Sequence, residues 1–191
     1  MNFGKDEIDM HAAVAIPERL RKNKKIAILT DNEAEDIEFF YPYYRFNEAG
    51  YDVDVITSKG GSFECKNGLG LQKTKAIKEV NHDDYELLYL PGGKAPAKLR
   101  KNDMVLDFVK RFAASGKYIA AICHGPQILA EAGLISGKTI ACWPEIKNEI
   151  TDAGAIFADE ALKEDGQFIT ARRPGDLHRH LWGIFDKLNN G

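Results

Sequence analysis

The residues best suited to chemistry form one run, Ala120-Ala121-Ile122-Cys123-His124-Gly125-Pro126-Gln127. It sets a nucleophile-type side chain between an apolar, strand-like segment and a helix-like one, with Ala121 two before it and Gly125 two after. A strand-to-helix elbow needs small residues at those places, because the chain turns so tightly that larger side chains collide. The turn predicts a strained backbone at Cys123 and aims its sulfur at the positive end of the following helix. That setting favours thiolate over thiol, since a helix amino terminus stabilises negative charge. A plain buried cysteine at a strand end is the competing reading.

Two other features gain meaning beside the elbow. Leu90-Pro91-Gly92-Gly93 ends an apolar run with glycines. There the backbone N–H groups of Gly92 and Gly93 can point into a cleft and, with that of His124, hold an oxyanion. Alone, Pro-Gly-Gly is only a turn. The acids Glu33, Glu35, Asp36 and Glu38 stand where a helix begins, and such acids ordinarily just complement the helix dipole. Glu35 and Glu38 are three apart and share a face, within reach of a neighbouring loop. A protonated carboxyl beside a thiolate would donate a hydrogen bond and tune its pKa.

Positioning these groups is the task of the surrounding elements. Ile26–Leu29, Val53–Ile56, Leu87–Leu90 and Tyr118–Ile122 read as buried strands, with later ones at Thr139–Cys142 and Phe168–Thr170. A helix is predicted from about Ala34 to Ala49, with Gly50 as its stop and Pro42 forcing a kink or a late start. Val105, Phe108, Val109 and Phe112 share a second helical face, and Leu177, Leu181, Ile184, Phe185 and Leu188 a last one. The glycine-rich stretch from Gly60 to Gly70 predicts a loop or small hairpin. Strands that read as unbroken apolar runs and alternate with helices indicate an α/β domain with a mainly parallel sheet, covered on both faces. Ligands bind such sheets at the carboxyl ends of the strands, so the loops after Leu29, Leu90 and Ile122 should converge.

Composition narrows the classes. With 191 residues, 44% apolar and 29% charged, the chain can build one substantial core. It divides into an N-terminal extension, residues 1–23, ending in a basic cluster, and a single domain over residues 24–191. A formal charge of −3 gives no support to nucleic acid as the main partner. No run approaches the roughly 20 apolar residues of a membrane helix, and the start lacks an apolar leader, so a cytoplasmic protein is expected. The three cysteines, Cys65, Cys123 and Cys142, have neither disulfide-framework nor zinc spacing. Cys65 reads as a loop thiol and Cys142 as core. His178 and His180, two apart on a helix, point to different faces, which argues against a metal and favours solvated or helix-end side chains. Neither G-x-G-x-x-G nor a Walker pattern occurs, and the acidic loop after Leu29 would repel phosphate, so no cofactor is predicted.

The runs Thr30–Pro42, Leu90–Pro96 and Ala121–Gln127, in that order, resemble the PfpI intracellular protease family, within the superfamily of the Parkinsonism-associated deglycase. The resemblance extends from about Lys25 to the C-terminus. It implies a flavodoxin-like three-layer sandwich, self-association into a dimer or larger ring, and a cysteine-dependent hydrolase acting on peptides, glycated adducts or small dicarbonyls. It marks Cys123 as nucleophile, Glu38 as the carboxyl beside the sulfur, His124 as partner histidine and Gly93 as oxyanion donor. Trp143 matches an aromatic position over the thiol, and Arg172 a recurring arginine. One departure concerns proteolysis: Ala97 stands where protease-type members place a glutamate that completes a triad across a subunit boundary. The elbow also resembles the C-x-G-x-Q of glutamine amidotransferases, but no His-x-Glu follows it. A non-catalytic redox sensor or chaperone using the same oxidisable thiol is the alternative.

Overall fold

A computed structural model describes residues 22–190. The extension expected over residues 1–23 thus lies outside the described residues, apart from Lys22 and Asn23. Lys22 is tied to the domain, its N–H donating to the Gly50 carbonyl at 2.8 Å and its Nζ to Tyr51 Oη at 3.2 Å.

The apolar runs form the strands that the sequence predicts, with small shifts at the ends. They are β1 (Lys25–Leu29), β2 (Asp52–Thr57), β5 (Leu87–Leu90), β6 (Tyr118–Ile122) and β10 (Phe168–Ala171). The glycine-rich segment is an antiparallel hairpin of β3 (Gly61–Glu64) and β4 (Gly70–Ala76), and β4 runs beyond the expected stretch. Among the described residues one sheet has the order β3-β4-β2-β1-β5-β6-β10-β9, where β9 is Lys163–Asp165. Its centre is parallel, and only β3 and β9 pair antiparallel at the edges. The strand expected at Thr139–Cys142 leaves this sheet: β7 (Thr139–Ala141) pairs with β8 (Ile156–Ala158) in a separate ribbon.

Every position of β5 and β10 is buried, which requires cover on both faces. One group of helices joins α1 (Asp36–Glu48) and α6 (Leu177–Asn190). The other comprises α2 (Ala95–Leu99), α3 (Asp103–Ala114), α4 (Pro126–Glu131) and α5 (Lys147–Asp152). The result is an α/β sandwich of three layers. Pro42 neither splits nor delays α1, which runs continuously through it. No helix among the described residues is long and apolar enough to cross a membrane.

The chain leaves β1 for β2 on one side and reaches β5 on the other, so the sheet has its switch point between β1 and β5. At such a point loops diverge and leave a crevice at the carboxyl edge. Here Ala34, after β1, bridges Gly93, after β5, and the Lys94 N–H donates to the Glu33 carbonyl at 2.8 Å.

Candidate active site

The elbow has the form its small residues predict. Cys123 has φ 61°, a left-handed backbone that costs a non-glycine residue on the order of 1–3 kcal/mol. A Cβ on Gly125 would stand 2.3 Å from the Leu90 carbonyl oxygen, so only glycine lets the elbow pass β5. The Cys123 N–H donates to the Ala171 carbonyl at 3.0 Å, and its own carbonyl accepts from the Trp143 N–H at 2.9 Å. The end of β10 and the segment after β7 thereby hold the strained residue in place.

Glu38 enters from α1 and is 0% exposed. Its Oε2 accepts the Gly92 N–H at 2.9 Å, while Oε1 is buried without a partner. A Cβ on Gly92 would lie 2.5 Å from that Oε2 and 2.7 Å from Cys123 Cβ, so the carboxyl and the nucleophile flank one glycine. The Gly92 N–H is therefore engaged by Glu38, and the expectation that it holds an oxyanion is corrected. The N–H groups of Gly93 and His124 face the Cys123 sulfur instead. Gly93 has φ 82°, and a Cβ there would meet Glu35 N at 2.3 Å.

The electrostatics reverse one expectation. Burial pushes the Cys123 thiol pKa well above its ordinary value, and the Glu38 charge and its hydrogen bond push it further. The Gly93 and His124 N–H groups oppose this but do not win. The sulfur belongs to a residue only 7% exposed, and a carboxylate faces it. Burial and the facing carboxylate thus oppose the thiolate predicted from the elbow. Burial likewise raises Glu38 to about 7, despite the Gly92 N–H and the thiol that favour its charged form. The two groups avoid holding two negative charges side by side, and Glu38 is the one that titrates near neutrality.

His124, half-buried, brings Nδ1 to 3.2 Å from Cys123 Sγ. Burial lowers its pKa, against the pull of Glu145 and Glu149. The Trp143 ring stacks beside it, centroids 6.4 Å apart. A cavity of about 810 Å³ opens over the sulfur, with Glu38, Gly93, Ala97, His124 and Trp143 in its wall. Glu35 also lines it, paired with Lys66. Lys94 and Lys98 both bind Glu33 at the mouth, at 2.9 and 2.6 Å, holding its carboxyl down at about 2. Motif reading missed this lysine-lined rim, which only the approach of α2 to the β1 loop creates. Among the described residues no carboxylate is hydrogen-bonded to His124, and Ala97 supplies none.

Other expectations fall away from the site. Arg172 does not line the cavity; it is bound to Asp159 at 2.6 Å and Asp176 at 2.9 Å, bracing the turn before α6. His180 is not solvated: it is 0% exposed, with Nε2 2.9 Å from the Ile169 carbonyl oxygen, and burial lowers it to about 4. His178 is exposed, against the edge of Trp182. Cys65 is a loop residue but buried, its thiol pushed up to about 12, and Cys142 is core. Among the described residues no cluster of His, Cys, Asp or Glu is arranged to hold a metal ion.

A parallel α/β sandwich with a cysteine on a β-strand elbow, a buried glutamate beside it and N–H groups turned to the sulfur defines a class of cysteine-elbow proteins. The chain belongs to the DJ-1/PfpI family, which residues 24–184 match. It is 38% identical to a deglycase of Pyrococcus abyssi over 81% of this chain and 93% of that protein. It is also 38% identical to protein/nucleic acid deglycase 2 of Escherichia coli, over 81% of this chain and 92% of that one. Among solved structures, DJ-1beta of Drosophila melanogaster superposes with a TM-score of 0.81 at 26% identity, covering 87% of this chain and 90% of that chain. The fold is accordingly the flavodoxin-like sandwich of that family.

Proposed function

We propose that the protein is a cysteine-dependent hydrolase of the deglycase type, acting on small dicarbonyls and the adducts they form with amines. The observation that carries this reading is the placement of Cys123 and the buried Glu38 carboxyl on either side of Gly92 under an open cavity, where burial raises that carboxyl to about 7. A base of that pKa is well matched to a proton transfer at neutral pH. As the sulfur attacks a substrate carbonyl, a C–S bond forms and the thiol proton passes to the Glu38 carboxylate. The charge arising on the carbonyl oxygen falls beside the Gly93 and His124 N–H groups. No standing thiolate is needed, because deprotonation accompanies attack.

Peptide hydrolysis asks for more. A histidine acting as acid on a leaving amine needs an orienting carboxylate, and His124 has none among the described residues. The redox-sensor alternative fares worse at this thiol, since peroxide selects accessible cysteines of low pKa, and Cys123 is 7% exposed with its pKa raised.

The deciding experiment assays methylglyoxal, a methylglyoxal-treated amine and a peptide side by side, with Cys123→Ser as control. Turnover of the first two, lost in the variant, is expected with little peptide cleavage. Dicarbonyl activity that survives Cys123→Ser would remove the nucleophile and with it this reading.

A further inference from the structure

Pro42 lies inside α1, four residues after Glu38. Proline has no amide hydrogen, so the helical bond from residue 42 back to the Glu38 carbonyl is missing. A buried carbonyl left open in this way calls for another donor. Tyr89 supplies it: its Oη donates to the Glu38 carbonyl at 3.2 Å. Tyr89 is 0% exposed on β5, three residues before Gly92, whose N–H donates to Oε2 of the same glutamate. One strand and its loop therefore grip Glu38 at both its main chain and its carboxyl.

We propose that Tyr89 is a positioning residue for the carboxyl of Glu38, its hydroxyl standing in for the amide hydrogen that Pro42 removes from α1. The inference rests on Glu38 as the group that takes the thiol proton. Burial first, and then the negative charge of the Glu38–Cys123 pair, keep the Tyr89 phenol protonated, so it donates. Besides Tyr89, the groups that act on Glu38 are the Gly92 N–H, Cys123, Glu35 and Lys66. The ring of Tyr89 meets those of Phe46 and His180, each with centroids 5.7 Å away.

Tyr89→Phe keeps those ring contacts and deletes only the hydroxyl. A reacting group misplaced by a fraction of an ångström loses rate steeply, and the expected effect is about a tenfold fall in kcat with KM unchanged. A second readout needs no turnover: the pH profile of Cys123 alkylation by iodoacetamide. Its midpoint is expected to rise, because a loosened Glu38 loses part of the Gly92 bond that favours its charged form. Pro42→Ala returns an amide hydrogen to α1, so Tyr89→Phe added to Pro42→Ala should change neither kcat nor the midpoint further. Superimposable profiles and kcat for Tyr89→Phe and the parent overturn the proposal. So does a Tyr89→Phe effect that persists in full in the Pro42→Ala background. If dicarbonyl turnover is absent throughout but the alkylation midpoints behave as stated, the deglycase reading fails and the positioning role stands.

Discussion

Glu38 and His180 adjoin the same tyrosine, Tyr89, and both are 0% exposed, yet the molecule uses them differently. Burial moves each toward its neutral form, raising the acid to about 7 and lowering the imidazole to about 4. Glu38 faces a thiol, and its carboxyl lines a cavity of about 810 Å³. His180 faces the Ile169 carbonyl of β10 and reaches no cavity among those described. A displaced pKa thus marks chemistry only where a nucleophile and open space adjoin the group, and otherwise records the cost of packing a polar ring.

The sharpest way to break this comparison is Glu38→Gln. It removes the base assigned to the thiol proton and leaves only His124 Nδ1 near the sulfur, and turnover should fall about 10²–10⁴-fold, the usual range for a lost acid–base group. Stability should move the other way. The folded pKa of about 7 lies above the ordinary 4.5, so the folded state binds the proton more tightly. That contribution is present below pH 4.5 and lost as pH rises through about 7, a difference of about 3 kcal/mol. Urea denaturation at pH 5 and pH 8 should show the parent losing stability relative to the variant at the higher pH, a difference in which the opposite contribution of His180, common to both, cancels. Equal pH dependence in both would mean that burial is not what holds Glu38 neutral.

His180→Gln probes the opposite member. A depressed folded pKa gives stability that is present above pH 6.5 and lost as pH falls through about 4, again about 3 kcal/mol. Glutamine can still donate to the Ile169 carbonyl but takes up no proton, so acid denaturation should shift to lower pH while turnover is unchanged. A large fall in turnover would place His180 in the catalytic machinery after all. Arg172→Ala is the mildest of the three. It leaves Asp176, 7% exposed, without its main partner and should lower stability by about 1–3 kcal/mol, read by thermal denaturation. Dicarbonyl turnover should be retained; its loss in a folded variant would return Arg172 to the site.

Much of the fold was legible because its signals are local. Buried parallel strands must read as apolar runs, and the runs at Ile26, Leu87 and Tyr118 became β1, β5 and β6. The elbow was legible for the same reason, since Gly125 is dictated by a close pass of the chain. His180 was misread because it was weighed only against His178, as one of two histidines on different helix faces, and both were expected to be solvated or at the helix end. The better signal was the spacing of Leu177, His180, Leu181 and Ile184, which puts the histidine on the inward stripe of α6. The strand at Thr139 was recognised but not its sheet, because an apolar run carries no information about which neighbour it will pair with. Gly92 and Gly93 are identical letters side by side. Only the arrival of Glu38 from another element engages one N–H and leaves the other facing the sulfur.

By itself the sequence determined the order of strands and helices, the strained turn at Cys123 and the presence of acids close to it, since each follows from local chain geometry and side-chain chemistry. The tertiary structure alone decided where the protons reside. Ionisation depends on how completely water is excluded and which charge is brought alongside, and both are set by residues remote in the chain: α1 closing over the elbow pushes the Cys123 thiol up and raises the Glu38 carboxyl to about 7.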